Sequence, residues 1–426
     1  MTQSLVAAPS PTDTPGPHGE FEDRPVPLGH RRSLLSVSAV WFGFPMILTN
    51  TVFGGVIVHG LGLVEGLGAM AVGNLLLLLY VGALSHLAGR TGENFALTAA
   101  RTFGARGKAV AGGFLATVVV GWFAFQIGLT GATLHSALGW NTLAVTIGAG
   151  ALYTAVTALG IRALSVLGLV AAPLFLAMAA VALGLAFHAS HSGSVLGFSG
   201  TGGLGFGAAV TMVFAGWADS GTMTGDFTRW AGDGRSAVAA AFSAFPVANA
   251  VSLVVGGLVV ALGAAAHPDT DGGDFLPLLT THGGLLTAVA VVFVFVNLGS
   301  VASHCLYNAA IGWSALLRSR MQLLTVALGV VGTAAAAAGV WTHFSTWLSL
   351  LGVFVPPIGA VLITDQVLLR RETTSRDWQL PALASWAIGA AAAWTVHEQL
   401  PALPDAVAGL AVGMLAQAAF VLAGRR

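Results

Sequence analysis

The sequence predicts an all-α polytopic membrane protein of twelve transmembrane helices, and three observations predict it. Of 426 residues, 56% are hydrophobic and only 8% are charged, whereas a soluble domain carries about 25% charged residues. Mean hydropathy is +0.84, and apolar runs recur at about twenty residues, the length that crosses a bilayer core. The basic residues, finally, partition to one side of the helix map drawn from those runs. The short alternating segments of roughly ten residues that build a membrane β-barrel are absent.

In chain order, residues 1–32 are rich in Pro, Ser, Thr and acidic residues and hold no apolar core of a signal peptide, so they read as a flexible cytoplasmic tail. Helices are expected at 34–58, 66–88, 108–137, 141–160, 163–187, 206–228, 236–265, 284–313, 321–340, 343–368, 380–397 and 403–423. With the N-terminus inside, all 17 Lys and Arg fall on the tail, on inner loops or at the C-terminus, as the positive-inside rule requires. The outer loops HPDTDGGD (267–274) and HEQLPALPD (397–405) carry acids and histidines but no Lys or Arg. Both termini are therefore expected in the cytoplasm.

Composition also excludes partners. A formal net charge of zero leaves no basic face to neutralise nucleic-acid phosphates. The single cysteine, Cys305, rules out an intramolecular disulfide framework. GTGGLG (200–205) matches the dinucleotide fingerprint in letters, but no strand precedes it. His188 and His191 lack the further ligands a metal site needs. No nucleophile, metal set or carboxylate pair suggests an enzyme, and the polar residues cluster at one depth rather than lining the continuous pore of a channel.

Backbone groups at membrane depth must be hydrogen-bonded, so a broken helix survives there only by lining a cavity or binding something. Two spans look broken. The first contains WFGFPMILTNT (41–51), with Pro45 among Gly43, Thr49, Asn50 and Thr51; the sixth contains AGWADSGTMTGDFTRW (215–230), with Gly216, Gly221 and Gly225 around Asp219. A five-helix unit repeated with inverted topology makes spans one and six corresponding elements, a pointer to a transporter binding site. An intramembrane acid such as Asp219 is costly and points to function. Asp226 and Arg229, at the inner end of span six, read as a gate or a structural ion pair.

Two further spans carry polar groups. In VVVGWFAFQIG (118–128), Trp122 and Gln126 are four apart and share a helix face; a flat ring beside an amide suits a flat heteroaromatic ligand. In FVNLGSVASHCLYNAA (295–310), Asn297, Ser300, His304 and Asn308 form a stripe that must face the bundle interior.

These pieces resemble the nucleobase–cation symporter-1 family, and its bacterial cytosine permeases most closely. Besides spans one and six, the resemblance rests on the stretch 73–108, VGWF (120–123), SGTMTGDFTRW (220–230), VNLGS (296–300) and PPIGAVLITDQVLLRR (356–371). It implies a leucine-transporter-type fold, with residues 33–188 and 206–368 as the two five-helix repeats and 380–423 as two added helices. It implies a plasma-membrane symporter that imports cytosine or a related flat heterocycle with Na+ or H+ by alternating access, without other cofactors or protein partners. Hydroxymethylpyrimidine and hydantoin or allantoin are the alternatives. By the resemblance, Trp122 and Trp217 sandwich the substrate in a site that includes Gly216, and Asn297 reads its edge. The placing of Gln126 four after Trp122 resembles the hydantoin branch; the cytosine branch has its glutamine three positions earlier, where this chain has Val119. A cation site maps to the carbonyls of Gly43, Met46 and Asn297 and the hydroxyl of Ser300. The family's second hydroxyl is replaced by Val301, which should weaken sodium binding. Asp219 also departs from the family, which has a small hydroxyl residue there; its carboxylate is expected to accept from a substrate amine or to carry the coupling proton.

Overall fold

A computed structural model describes residues 21, 24–190, 195–317, 319–371, 376–400 and 402–424. Span one is two helices, α1 (Leu34–Gly43) and α2 (Leu48–Leu61), bent by 60° at the break. Then follow α3 (Leu63–Thr91), the short α4 (Phe95–Phe103), α5 (Gly107–Leu138), α6 (Thr142–Ala158) and α7 (Ile161–Ala189). Span six is α8 (Phe206–Ala215), α9 (Ala218–Thr222) and α10 (Gly225–Thr228). Next come α11 (Gly234–Phe242) and α12 (Ala250–Ala261), joined by a π-helical stretch that absorbs Pro246. After the short α13 (Leu276–Thr280) come α14 (Gly284–Leu317), α15 (Met321–Ala337), α16 (Phe344–Phe354) and α17 (Pro356–Leu362). The chain finishes with α18 (Leu380–Gln399) and α19 (Asp405–Ala423). Helices occupy every predicted range. Among the described residues, seven are long and apolar enough to cross a membrane, or eight with the bent pair counted as one.

Pro45 and an extended Ile47 (φ −130°, ψ 151°) interrupt span one. The interruption strips three main-chain groups of helical partners, and side chains replace them. Asn297 bridges the gap: its Oδ1 accepts from Leu48 N–H (2.8 Å) and its Nδ2 donates to the Met46 carbonyl (2.9 Å). The Pro45 carbonyl accepts from Asn50 Nδ2 (2.6 Å) and the Ser252 hydroxyl (2.8 Å). Where no water is at hand, these bonds are what allow the break to exist.

Span six breaks differently. The helix is interrupted twice, at Gly216–Trp217 and at Met223–Thr224, with Trp217 and Met223 leaving the helical path, and Gly216, Gly221 and Gly225 all keep negative φ. The sequence suggested that the glycines unwind the helix; two of them serve contact instead. A Cβ on Gly221 would lie 2.6 Å from Val81 of α3, and one on Gly225 would lie 3.2 Å from the Glu93 carbonyl.

In lipid, burying apolar surface against protein gains little over burying it against acyl chains, so close backbone approach and hydrogen bonds hold helices together. The crossing of α2 and α12 relies on this. A Cβ on Gly54 would overlap the Leu253 carbonyl, and one on Gly256 would overlap the Thr51 carbonyl.

The tail departs from expectation. Residues 1–20, 22 and 23 lie outside the described residues, but the rest of the segment packs against the bundle. Phe21 and Val26 are buried. Val26 N–H donates to the Gly92 carbonyl (2.9 Å) and Arg32 N–H to the Trp230 carbonyl (2.7 Å). Arg32 also lies over the Trp230 ring at 5.1 Å, and Arg31 bonds the carbonyls of Gly89 and Ala231. A polar, proline-rich composition hid the few apolar and arginine anchors that find partners only in three dimensions.

At the opposite face, the loop 266–275 folds down against α2 and α5. Gly272 and Gly273 lie on the backbone of Thr51 and Val52. Asp274 accepts from Thr133 (2.7 Å) and from Leu276 N–H (2.8 Å), and Asp271 accepts from Ser136 (2.7 Å).

Two outcomes follow. Gly256→Ala should lose most of its folded yield, because the clash is backbone on backbone; fluorescence-detected size exclusion reads this, with Gly184→Ala, which has open space around it, as control. Burial pushes the Asp274 carboxyl from 3.8 up to about 6, on the order of 3 kcal/mol between charged and neutral forms. The docked loop therefore holds its proton more tightly than an undocked one. Docking is strongest below the free value and weakens as pH rises through about 6, so the hydrogen-exchange protection of 267–276, relative to the intrinsic rate at each pH, should rise on going from pH 7 to pH 5.

Candidate substrate site between the broken helices

A cavity lies where the two breaks face each other. Phe44, Ile47, Thr49 and Asn50 line it from span one, Gly216, Trp217 and Ser220 from span six, Trp122 and Gln126 from α5, and Val301 and Cys305 from α14. It is contracted, with free space of about one water molecule. Aromatic rings close it on both sides. Toward the tail face, Phe44 packs on Trp41 (5.7 Å), which stacks on Phe227 (5.0 Å). Toward the other face, Phe344 stacks on Phe125 (3.6 Å) and Phe53 (5.2 Å) and meets Trp122 edge-on (5.3 Å). The cavity thus lies between two sets of packed rings.

The two tryptophans differ in support. Trp217 Nε1–H donates to Asn249 Oδ1 (2.9 Å), Asn249 Nδ2 donates to Asn74 (2.9 Å), and Asn50 Nδ2 donates to the same Asn249 oxygen (2.8 Å). One network thus sets the Trp217 plane and ties it to the break in span one. Trp122 Nε1 is buried without a hydrogen bond of full geometry, its N–H within reach of the Asp219 carboxylate. Gln126 is fully buried; its Oε1 accepts from Thr49 (2.7 Å), and its Nε2 has no partner. An amide on the wall of a cavity with one end satisfied and one end open is a ready donor for a ligand.

Of the predicted substrate residues, Trp122, Gln126, Gly216 and Trp217 line the cavity, whereas Asn297 and Asp219 do not. Asn297 spends both ends of its amide on the span-one backbone. Asp219 is 0% exposed, behind the wall; its Oδ1 accepts from Ser220 N–H (2.7 Å) and its Oδ2 has no partner. The polar stripe of α14 likewise misses the cavity. Ser300 and His304 turn toward Gly168 of α7, His304 donating from Nδ1 to the Ser300 carbonyl (2.7 Å), and Val301 and Cys305 form the wall. A stripe at helical spacing identifies a face but not its neighbour.

The expected cation donors are partly gathered. Gly43 and Ser300 both approach Gly168, while the Met46 carbonyl already accepts from Asn297. Three carbonyls and one hydroxyl fall short of the full oxygen shell a hard cation takes, so the fit to sodium is incomplete. Among the described residues no three His, Cys, Asp or Glu gather as a metal site. His191 lies outside the described residues, and His188 bonds the Gly184 carbonyl (2.8 Å). The Arg229 guanidinium lies close enough to Asp226 to act on its charge. Asp226 accepts from Phe95 N–H (3.0 Å), and Arg229 donates to the Phe21 carbonyl.

The sequence pattern of a family described as permeases for cytosine/purines, uracil, thiamine and allantoin matches residues 25–396. The chain belongs to this family, the nucleobase–cation symporters. As a member it is a transporter and not an enzyme, and it is a multi-pass membrane protein. It is 28% identical over 352 residues to the cytosine permeases of Escherichia coli O157:H7 and of strain K12, a stretch covering 82% of this chain and 82% of each relative. Its fold is similar to that of Mhp1, a nucleobase-cation-symport-1 family transporter solved in a closed conformation with bromovinylhydantoin bound, at TM-score 0.76 and 20% identity over 95% of this chain and 96% of that one. Inward-facing Mhp1 aligns at TM-score 0.78 and 20% identity, over 95% and 94%. A Na+-coupled sialic acid symporter aligns at 0.69 and 11% identity, over 93% and 90%.

Sequence inspection missed Asn249, Asn50, Asn74 and Ser252 as a set. Asn50 was legible as part of the span-one break, but Asn74, Asn249 and Ser252 are isolated polar residues in apolar runs, and only convergence on Pro45 and Trp217 gives the four a joint role. In this nucleobase–cation symporter, Asn249→Ala should leave the Trp217 indole N–H and two asparagines short of a partner, at about 1–3 kcal/mol per orphaned group. The expected result is a clearly lower melting temperature in detergent, with Asn249→Asp, which keeps the acceptor oxygen, between the variant and the parent.

Proposed function

We propose that this transporter imports a flat nucleobase-like heterocycle, cytosine foremost, across the plasma membrane together with a cation, by alternating access. The observation that carries this reading is the cavity between the two broken spans, walled by two indoles and by an amide with an unpartnered donor. A base stacked between Trp122 and Trp217 gains on the order of 1 kcal/mol per aromatic contact beyond its area burial. Gln126 Nε2 then donates to a ring nitrogen or carbonyl, with Gly216 and Ser220 completing the wall. The likeness to two cytosine permeases supports cytosine as first candidate. The spacing of Trp122 and Gln126 favours a hydantoin or allantoin as the second, and hydroxymethylpyrimidine belongs on the same panel.

The architecture in this reading is twelve spans with both termini cytoplasmic, as the partition of Lys and Arg implies. Residues 33–188 and 206–368 act as inverted repeats, and 380–423 are two added helices. The tail face is then cytoplasmic, and opening of its aromatic seal releases the base inward. Coupling is to Na+ or H+. The incomplete oxygen set around Gly43, Met46, Asn297 and Ser300 supports a proton as the driving ion.

Reconstituted into liposomes, the protein should accumulate labelled cytosine under an inward proton gradient and respond weakly to an inward sodium gradient. Trp217→Ala should weaken uptake at least tenfold. Failure to take up any base or hydantoin of the panel would refute the transport reading, and accumulation driven only by sodium would refute proton coupling.

A further inference from the structure

The wall that α14 gives the cavity is apolar, and the substrate reading leaves it unassigned. Val301 and Cys305, one turn apart on one helix face, line the cavity. The polar side chains of the same stretch are turned away or already spent. Ser300 and His304 approach Gly168 of α7, and Asn297 holds Leu48 N–H and the Met46 carbonyl. To a ligand, α14 therefore offers the methyl groups of Val301 and a thiol, and a thiol is only a weak hydrogen-bonding group.

Another part of the cavity is polar. Gln126 is fully buried, its Oε1 accepts from the Thr49 hydroxyl (2.7 Å), and its Nε2 has no partner. Having given its proton to Gln126, the Thr49 oxygen can only accept. An open donor thus stands beside an open acceptor, the complement of a ring nitrogen or carbonyl next to an N–H. The polar and apolar parts lie at different depths. His304 meets Phe44 of the tail-side ring set edge-on (5.5 Å), which puts Cys305 at the level of those rings. Helix α5 runs away from the tail face toward Ser136, which is bonded to the opposite loop at Asp271. Gln126 therefore lies one turn, about 6 Å, farther from the tail face than Trp122.

We propose that Val301 and Cys305 form an apolar subsite for the carbon edge of the base and a methyl-sized substituent on it. The site then selects pyrimidines that are apolar at position 5 over heterocycles with a polar group there. This rests on the reading of the cavity as the substrate site, with Trp122 and Trp217 as the stacking pair. A pyrimidine such as cytosine carries its hydrogen-bonding groups along one edge and only carbon at positions 5 and 6. With the polar edge on Gln126 and Thr49, the carbon edge faces α14. A hydroxyl or ureido group at that place gives up water and gains no full partner from α14.

The test is competition against labelled cytosine on the purified full chain in nanodiscs. The competitors are 5-methylcytosine and 5-hydroxymethylcytosine, which differ by one hydroxyl. In the parent, 5-methylcytosine should bind about fourfold tighter than cytosine, the worth of one buried methyl-sized group. The hydroxymethyl compound should bind at least about fivefold weaker than the methyl compound, the cost of a buried hydroxyl left short of a partner. Cys305→Ser puts a full donor and acceptor in place of the thiol at nearly the same size, and should shrink that gap to about twofold or less. Val301→Ala, which removes wall contact without adding polarity, should erase the gain from the methyl group. Equal binding of the two competitors overturns the proposal, as does loss of affinity for both, which would mean that α14 leaves the carbon edge no room. A hydroxyl penalty that Cys305→Ser leaves unchanged overturns it too. If Cys305→Ser does not fold, Val301→Ala decides, and an unchanged methyl gain in that variant overturns the proposal. A parent that binds no base refutes the substrate reading itself, whereas a parent that binds cytosine with the competitors in the wrong order refutes only the subsite.

Discussion

The break in span one depends on three main-chain groups finding partners at membrane depth. Without the Asn297 amide on Leu48 and Met46, and without Asn50 and Ser252 on the Pro45 carbonyl, the segment 44–47 would expose unpaired polar groups to a dry interior. The helix would then be expected to continue or the chain to misfold. Everything else at the site follows from that repair. Because Asn249 bonds both Asn50 and the Trp217 indole, the break and one stacking face of the cavity belong to a single hydrogen-bonded unit. A motion that reorients α1 against α2 has to carry this unit along or sever it.

The two seals around the cavity are built from different materials. On the far side, Phe344 stacks on Phe125 and Phe53, rings from three helices that can slide past one another. On the tail side, the rings of Trp41, Phe44 and Phe227 are reinforced beyond Trp230 by arginines and main-chain bonds from residues 24–32. Stacked rings are held by dispersion and lack the directional demand of hydrogen bonds. The two ring sets are therefore held unequally, and separating the tail-side set has to undo more specific contacts.

How much of the site could be read in advance divides along a clear line. Pro45 in an apolar run implied a break, and Trp122 with Gln126 four residues later implied a shared face; both groups line the cavity. The stripe Asn297, Ser300, His304 and Asn308 was equally regular, yet the wall is Val301 and Cys305. Helical periodicity reports which residues share a face, whereas which helix that face meets depends on rotation about the axis, set by partners far away in sequence. Asp219 illustrates the same limit. Its cost at membrane depth marked it as special, but whether it touched the cavity or sat one layer behind turned on the backbone path through Gly216 and Trp217.

Composition and spacing alone determined that the chain crosses a membrane many times, where its helices lie, and that the helices at 34–58 and 206–228 are interrupted. These follow from local physics: apolar length against bilayer thickness, proline against the helical ladder, and basic side chains against translocation. Only the tertiary structure decided how the freed backbone is satisfied, that the segment before Leu34 is packed, and that Asp219 is buried behind the cavity wall. Those are relations between residues up to about 250 positions apart, such as Asn297 and Met46. No local pattern encodes them, because a buried hydrogen bond is specified by where two elements meet and not by either element alone.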